Sequence, residues 1–317
     1  MHADSSNKSP RPRWHWLLLA ATVWPMLGIM VAQLSAWTWY GELASHWTLH
    51  GAVALLPAMV VFRRDTRWGR LFFVLLILAL LPWVQSSWSP RAVLNGTPIA
   101  QASVATANVQ FYNSDRAATQ AMIASLEVDL LALEEVTTSD EEVLRKHPRW
   151  PFQAWSGRAD ATRIALLSSK RIVTHSTHTF DGVTVIEALV DLGESPLRVF
   201  VVHTSAPVDA EATTRRNRQL AMLAHELDIE RHPEPVLVLG DFNLTSGTSM
   251  WRTFTGYTGL RRAPGMSPAT WPSVLGPFGI TIDHMLARNA MLSPLTVFSV
   301  PGSDHRGVMG SVFITAP

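Results

Sequence analysis

The nine residues Val236-Leu-Val-Leu-Gly-Asp-Phe-Asn-Leu244 constrain the fold more than any other stretch of the chain. Four consecutive apolar residues, Val236 to Leu239, read as a buried strand. Gly240 lets the backbone turn, and Asp241 and Asn243 flank Phe242. Both polar side chains can then face one side while the ring packs on the other. The carboxyl end of a strand is where α/β proteins place their chemistry. An isolated Asp-Phe-Asn is more often an Asx turn. Here three other strand ends in the same half of the chain also finish on polar, metal-competent residues, and that company favours a site.

Around this stretch the C-terminal two thirds alternate strands with helices. Val104–Phe111, Asp129–Leu133, Ile164–Leu167, Thr184–Asp191, Leu197–Val202, Thr281–Leu286 and Val308–Ile314 read as strands. Asp115–Leu126 is amphipathic, and Asp209–Asp228 reads as a long helix with Leu220, Leu223 and Leu227 on one face. Strands mixed with helices predict one α/β domain over residues 102–317, a sheet core covered by helices.

The N-terminal third has a different character. Residues 1–98 carry eight Lys and Arg against three Asp and Glu, whereas residues 99–317 carry 18 against 22. Residues 1–13 are polar, with two prolines, and read as a disordered tail. No charged residue occurs from Trp14 to Trp39, and further apolar runs follow at Trp47–Phe62 and Leu71–Trp88. Tryptophans gather at the ends of these runs, as at a membrane interface. Residues 14–88 are therefore expected to be a transmembrane anchor of three helices. A signal peptide or a re-entrant second run are the competing readings. Lys8, Arg11 and Arg13 precede the first run and Arg63, Arg64, Arg67 and Arg70 fill the second connection. The positive-inside rule then puts the N-terminus in the cytoplasm and everything after Trp88 on the far side. Residues 89–101 read as a linker.

Collected at strand ends are Asn108, Glu135, His203, Asp241, Asn243, Asp283, Asp304 and His305. Carboxylates with amide oxygens suit a hard divalent cation such as Mg²⁺. A histidine can hydrogen-bond a phosphoryl oxygen or move a proton, and a partner carboxylate fixes its tautomer. Cation, histidine and activated water together suit phosphoester hydrolysis. With no cysteine in the chain, disulfides, thiolate metal sites and a cysteine nucleophile are excluded. A serine nucleophile elbow, a P-loop and a dinucleotide fingerprint are also missing.

Ala107-Asn108-Val109, Leu131-Ala-Leu-Glu-Glu135-Val136, Val202-His203-Thr204, Gly240-Asp-Phe-Asn243, Ile282-Asp283-His284 and Ser303-Asp-His-Arg306 occur in the order of the endonuclease/exonuclease/phosphatase superfamily. The chain resembles its membrane-anchored bacterial branch, with Ala269–Pro272 ahead of Ile-Asp-His, and the match spans about residues 102–315. The resemblance implies a two-sheet α/β sandwich of the DNase I-like type, preceded here by the transmembrane helical segment. It implies that Glu135 is the principal Mg²⁺ ligand, with Mn²⁺ as the alternative ion, supported by Asn108 and with Asp304 as a further metal-side carboxylate. Asp241 then orients or deprotonates the attacking water, and Asn243 holds phosphate or water. His203 donates to a phosphoryl oxygen, and His305 is the catalytic histidine paired with Asp283.

Several residues depart from that pattern or invite a blander account. Glu134 stands where the family often has Gln; it reads as a solvated or capping carboxylate, or alternatively as added charge at the metal site, and falls outside the core set. Arg163 is expected at the surface, as are His175, His178 and the helix face carrying Arg215, Arg216 and Arg218. His147 and His232 precede prolines and read as structural, His284 faces away from Asp283, and Trp271 reads as core or rim packing. Gly307, where Pro is common, should alter only local rigidity.

The expected function is thus a Mg²⁺-dependent phosphoesterase at the outer face of a bacterial cytoplasmic membrane. Its partners are the lipid bilayer and a phosphoester substrate: nucleic acid, a phospholipid head group or an envelope component. No protein partner is evident. The formal −4 of residues 99–317 argues mildly against tight DNA binding. The alternative is a non-catalytic membrane protein that keeps the fold as a binding or scaffold module.

Overall fold

A computed structural model describes residues 13–87, 97–156, 160–228 and 232–315. The chain divides into two compact units, the first ending at Val84 and the second beginning at Gln85.

The first unit contains four helices: α1 (Arg13–Ala32), α2 (Trp39–Ser45), α3 (Thr48–Phe62) and α4 (Thr66–Ser87). The first apolar run is therefore not one helix to Trp39. It stops at Ala32, and Thr38 starts α2 by accepting the Gly41 amide at 3.0 Å. α4 starts at Thr66, ahead of its expected first residue, because Asp65 accepts the Arg67 and Trp68 amides. Arg67 and Arg70 consequently lie in the helix and not in the connection. Ile29, Leu55, Phe62 and Phe72 form a small core, while Leu17, Trp24, Val53, Val60 and Phe73 are more than half exposed. These helices are apolar on more than their packed faces. Among the described residues one helix, α1, is long and apolar enough to cross a membrane. α2 and α3 meet that measure only as a pair bent by 64°.

The second unit is a two-sheet α/β sandwich. In chain order the first sheet takes β1 (Pro98–Asn108), β2 (Leu130–Glu134), β3 (Phe152–Trp155) and β4 (Ile164–Ser168). The second takes β5 (Ile172–Phe180), β6 (Val183–Asp191), β7 (Pro196–His203), β8 (Val236–Asp241), β9 (Arg261–Arg262) and β10 (Asp283–Arg288). β11 (Met291–Leu292), β12 (Thr296–Ser299) and β13 (Arg306–Thr315) return to the first sheet. Its order is β11-β13-β1-β2-β4-β3 with β12 also on β13, and the second is β5-β6-β7-β8-β10-β9. β1 begins at Pro98, inside the stretch expected to be linker, because Pro98–Gln101 pair with the end of β13. β3 and the polar edge strand β5 carry too weak an apolar pattern to stand out in the sequence.

Each sheet holds one parallel pair joined by a helix. α5 (Arg116–Ser125) links β1 to β2, and α7 (Ala210–Glu226) links β7 to β8. Both helices start on an aspartate cap, Asp115 accepting from Ala118 and Asp209 from Ala212. α6 (Thr138–Leu144) and α8 (Ser249–Thr258) add to the outer layers, and α6 opens with a capping box between Thr137 and Asp140.

Strand alternation decides which side chains face inward. Val104, Leu130, Ala132, Val199, Val201, Leu237, Leu239 and Met285 fill the space between the sheets. Thr106 and Asn108, Glu134, His203, Asp241 and Asp283 continue the same rows at one end of the sandwich. The site is thus the polar end of the core.

Two glycines allow close approach there. Gly240 has φ 136°, and a β-carbon on it would fall 2.0 Å from the Val202 carbonyl oxygen and 3.0 Å from Glu134 Oε1. Gly240→Ala should therefore destabilise the domain by about 3 kcal/mol or more. Chemical denaturation would measure it, and a midpoint unchanged from wild type would refute the account. Gly307 lies under the Phe298 ring, which a β-carbon would meet at 2.1 Å, so this glycine makes room and does more than change rigidity.

Candidate active site

Six of the expected site residues come together across the two sheets. Asn108 Nδ2, at the end of β1, donates to Glu135 Oε1 at 2.9 Å and to Asp241 Oδ2 at 3.1 Å. His203 Nε2 lies 3.7 Å from Glu135 Oε1 and 3.8 Å from Asp241 Oδ2. His305 Nε2 is 3.8 Å from the same Asp241 oxygen, and its Nδ1 is 3.0 Å from Asp283 Oδ2. Asp241, Asp283 and His305 are all buried and present ligand-type atoms within 4.8 Å of one another.

The loops hold these side chains in place. Glu135 takes a positive φ of 60°, and the Phe111 amide donates to its Oε2 at 2.7 Å. Ser303 Oγ donates to the Asn108 carbonyl at 2.8 Å and accepts the His305 amide at 3.1 Å, tying the last loop to the end of β1.

The remaining two expected residues sit at the margin. The Asn243 amide donates to Asp241 Oδ1 at 2.8 Å, but its side-chain Nδ2 is turned to the Thr204 carbonyl at 2.9 Å. Asp304 accepts from Trp271 Nε1 at 2.9 Å and is engaged there instead of by Asn108 or Glu135. Trp271 therefore orients a site carboxylate, which is more than the rim packing expected of it.

Three residues set aside on sequence grounds are part of the framework. Glu134 is fully buried, not solvated. Its Oε1 accepts from Thr106 Oγ1 at 2.8 Å, and its Oε2 has no hydrogen-bond partner. Arg216 is fully buried and donates to the Asn243 carbonyl at 2.8 Å, bracing the loop from behind. Arg163 is buried too, paired with Glu141 and lying over the Trp155 ring. His178 pairs with Glu187 at 2.7 Å on the second sheet, away from this group. His284 packs against Phe242 and Trp251 on the opposite face of β10.

The electrostatics follow from burial. Among the described residues no Arg or Lys pairs with Glu134, Glu135, Asp241 or Asp283. Burial and then the Asp283 charge raise the Asp241 pKa to about 7. The same two causes raise Glu134 well above the carboxylate range. Burial works to lower His305, but the Asp283 carboxylate and its hydrogen bond, with Asp241 and Asp304, outweigh it and raise the group to about 10. Burial and the neighbouring His305 lower His203, against the pull of Glu135. His305 is thus the cationic histidine and His203 the neutral one.

A divalent cation fits this donor set. Four carboxylates converge with only histidines to balance them, and a buried carboxylate oxygen of Glu134 is left without a partner. Oxygen-rich donors with excess negative charge are what a hard cation takes.

The profile of the Endonuclease/Exonuclease/phosphatase family matches residues 105–305. The chain belongs to that family. Membership makes it a phosphoester hydrolase of the metal-dependent type. Solved structures with the same fold include sphingomyelinase C from Streptomyces griseocarneus, at 18% identity and TM-score 0.53. That match covers 69% of this chain and 100% of the other. D. rerio TDP2 complexed with a single-strand DNA product matches at 15% identity and TM-score 0.56, covering 67% of this chain and 98% of the other. Truncated Caenorhabditis elegans TDP2 matches at 17% identity and TM-score 0.55, covering 68% and 98%. No curated protein sequence matches the chain.

Proposed function

We propose that this chain is a membrane-anchored, Mg²⁺-dependent phosphoester hydrolase in which Asp241 and His305 carry the proton transfers. The observation that carries the reading is the placement of Asp241 Oδ2, 3.1 Å from Asn108 and 3.8 Å from both His203 and His305. Asn108 and Glu135 would hold the cation, with Asp304, held by Trp271, at the margin of the set, and the ion when bound would supply charge neutralisation for the phosphoester.

The protein's own groups do the rest. Asp241 Oδ1 is fixed by the Asn243 amide, which leaves Oδ2 to orient a water and take its proton. His305 Nδ1 is held by Asp283, so Nε2 carries the proton that the leaving oxygen receives when the P–O bond breaks. His203, neutral through burial, hydrogen-bonds a phosphoryl oxygen.

The first unit anchors the enzyme. Its all-round apolar helices and the basic residues Arg63, Arg64, Arg67 and Arg70 support a multi-pass segment in the cytoplasmic membrane with the hydrolase on the extracytoplasmic side.

The test is hydrolysis by the full chain in detergent, with Mg²⁺ or with EDTA. The substrates are bis(p-nitrophenyl) phosphate, plasmid DNA, RNA and phospholipid micelles. Turnover should require the cation and should disappear in the Asp241→Ala, His305→Ala double variant. A folded chain that binds no Mg²⁺ and turns over none of them would instead be a scaffold.

A further inference from the structure

Ten large apolar side chains of the second unit are conspicuously exposed among the described residues, and six of them sit in loops at the site end of the sandwich. Tyr112 is 87% exposed and follows Phe111, whose amide holds Glu135. Val208 lies in the loop that leaves His203, and Met266 in the loop that runs to Asp283. The densest group is the short 3₁₀ turn Ser273–Phe278, which buries none of its residues. Val274 is 87% exposed, Leu275 42% and Phe278 75%.

That turn is built onto the site. Ser273 donates its amide to the Asp304 carbonyl and its hydroxyl to the Ser303 carbonyl, and Trp271, two residues earlier, donates to the Asp304 carboxylate. Three separate connections, from β1, from β7 and into β10, thus carry solvent-exposed apolar side chains at the end of the sandwich that holds the phosphoester site. Water makes such a group unfavourable unless something apolar covers it. A nucleic-acid surface would call for lysines and arginines in these positions.

We propose that this group of side chains seats on a lipid bilayer and that the substrate is the head-group phosphoester of a membrane lipid. The inference rests on the hydrolase reading and names its substrate class. The occupant is a bilayer because the same chain carries α1, a helix long and apolar enough to span one. Val274, Leu275 and Phe278 enter the interfacial layer, and Tyr112 sits at the level of the head groups, where its ring and hydroxyl meet both phases. The lipid phosphate then reaches Asp241 and His305 without leaving the membrane surface.

The chain has no cysteine, so one introduced thiol can be labelled alone. Full-length Val274→Cys, carrying an environment-sensitive dye, would be reconstituted into phosphatidylethanolamine and phosphatidylglycerol vesicles containing nitroxide-labelled lipid. The control is Val173→Cys on the edge strand β5, 42% exposed in the native protein. Quenching is expected at 274 and not at 173. In parallel, the Val274→Ser, Leu275→Ser, Phe278→Ser variant should hydrolyse vesicle phospholipid about tenfold more slowly or worse, given the apolar burial removed. It should turn over bis(p-nitrophenyl) phosphate at the wild-type rate. An unquenched dye at 274 with normal turnover of the soluble diester would overturn the inference and leave the hydrolase reading standing. Faster cleavage of plasmid DNA than of vesicle phospholipid would overturn it as well. Quenching without hydrolysis of any phosphoester would overturn the substrate assignment together with the hydrolase reading beneath it.

Discussion

Mg²⁺ should raise the melting temperature of the full chain strongly at about pH 8 and hardly at all at about pH 5, the window set by the Asp241 carboxyl. Asp241 moves from an ordinary 3.8 to about 7 in the folded protein. A carboxyl whose folded pKa is raised binds more protons folded than unfolded, so it costs stability as pH rises from the lower value to the higher. The cost is complete above about pH 7, and at about 1.4 kcal/mol per unit it is on the order of 4 kcal/mol. Glu134, raised for the same reasons, adds to it. His305, raised from 6.5 to about 10, contributes stability that is whole below 6.5 and is lost as pH climbs through 10. His203, lowered by burial, works the other way only below its ordinary 6.5. In EDTA, therefore, stability should decline from about pH 7 to 10, the span over which unfolded and folded His305 titrate. The cation offsets the separate carboxylate cost, already complete at about pH 7, by neutralising charges that burial makes costly. Melting curves in EDTA and in Mg²⁺ across this range measure both effects. Equal gains from Mg²⁺ at the two pH values would mean that the cation does not bind close enough to these buried carboxylates to neutralise them.

Asp241→Asn should abolish turnover while making the protein more stable in EDTA at neutral pH. The amide keeps the shape of the side chain and can still accept the Asn243 amide through its oxygen. It removes a buried charge from the neighbourhood of Asp283, which is the second cause of the raised pKa. Loss of a positioned proton acceptor costs about a thousandfold in rate. Opposed effects on rate and stability distinguish a strained functional group from a structural one. Retained turnover of bis(p-nitrophenyl) phosphate would remove Asp241 from the reaction. A lower melting temperature would make it a structural residue.

The sandwich, and the six candidate residues that converge across it, are legible in the sequence because their signals are short and local. Val236–Leu239 is apolar enough to mark a central strand, and Asp241 follows directly from it. Strand parity alone places Glu134 in the core. Leu130, Ala132 and Glu134 share a face of β2, and the first two are core, so the third points into the same space. Glu135 reaches the site by a different route, through a positive φ that no periodicity announces. Arg216 and Arg163 read as surface charges in the sequence because their partners, the Asn243 carbonyl and Glu141, are distant along the chain. In the N-terminal unit the apolar runs fixed where helices form but not where they break. Thr38 and Asp65, ordinary polar residues in sequence, set two of the starts by capping.

The site's shortest links between the two sheets are Asn108 to Asp241 and His305 to Asp283. Asn108 ends β1 and His305 directly precedes β13, both of the first sheet, whereas Asp241 and Asp283 lie on β8 and β10 of the second. Sheets stacked face to face stand about 10 Å apart, a distance fixed by the side chains between them. Here those are Val104, Ala132, Val201, Leu239, Met285 and their neighbours. The thickness of this apolar filling is therefore the gauge that spaces proton acceptor, histidine and cation ligands. A methylene added or removed far from any reacting atom would slide or spread the two sheets and mistune the chemistry while the fold still held. In this protein the hydrophobic core is calibrated for catalysis as well as for stability.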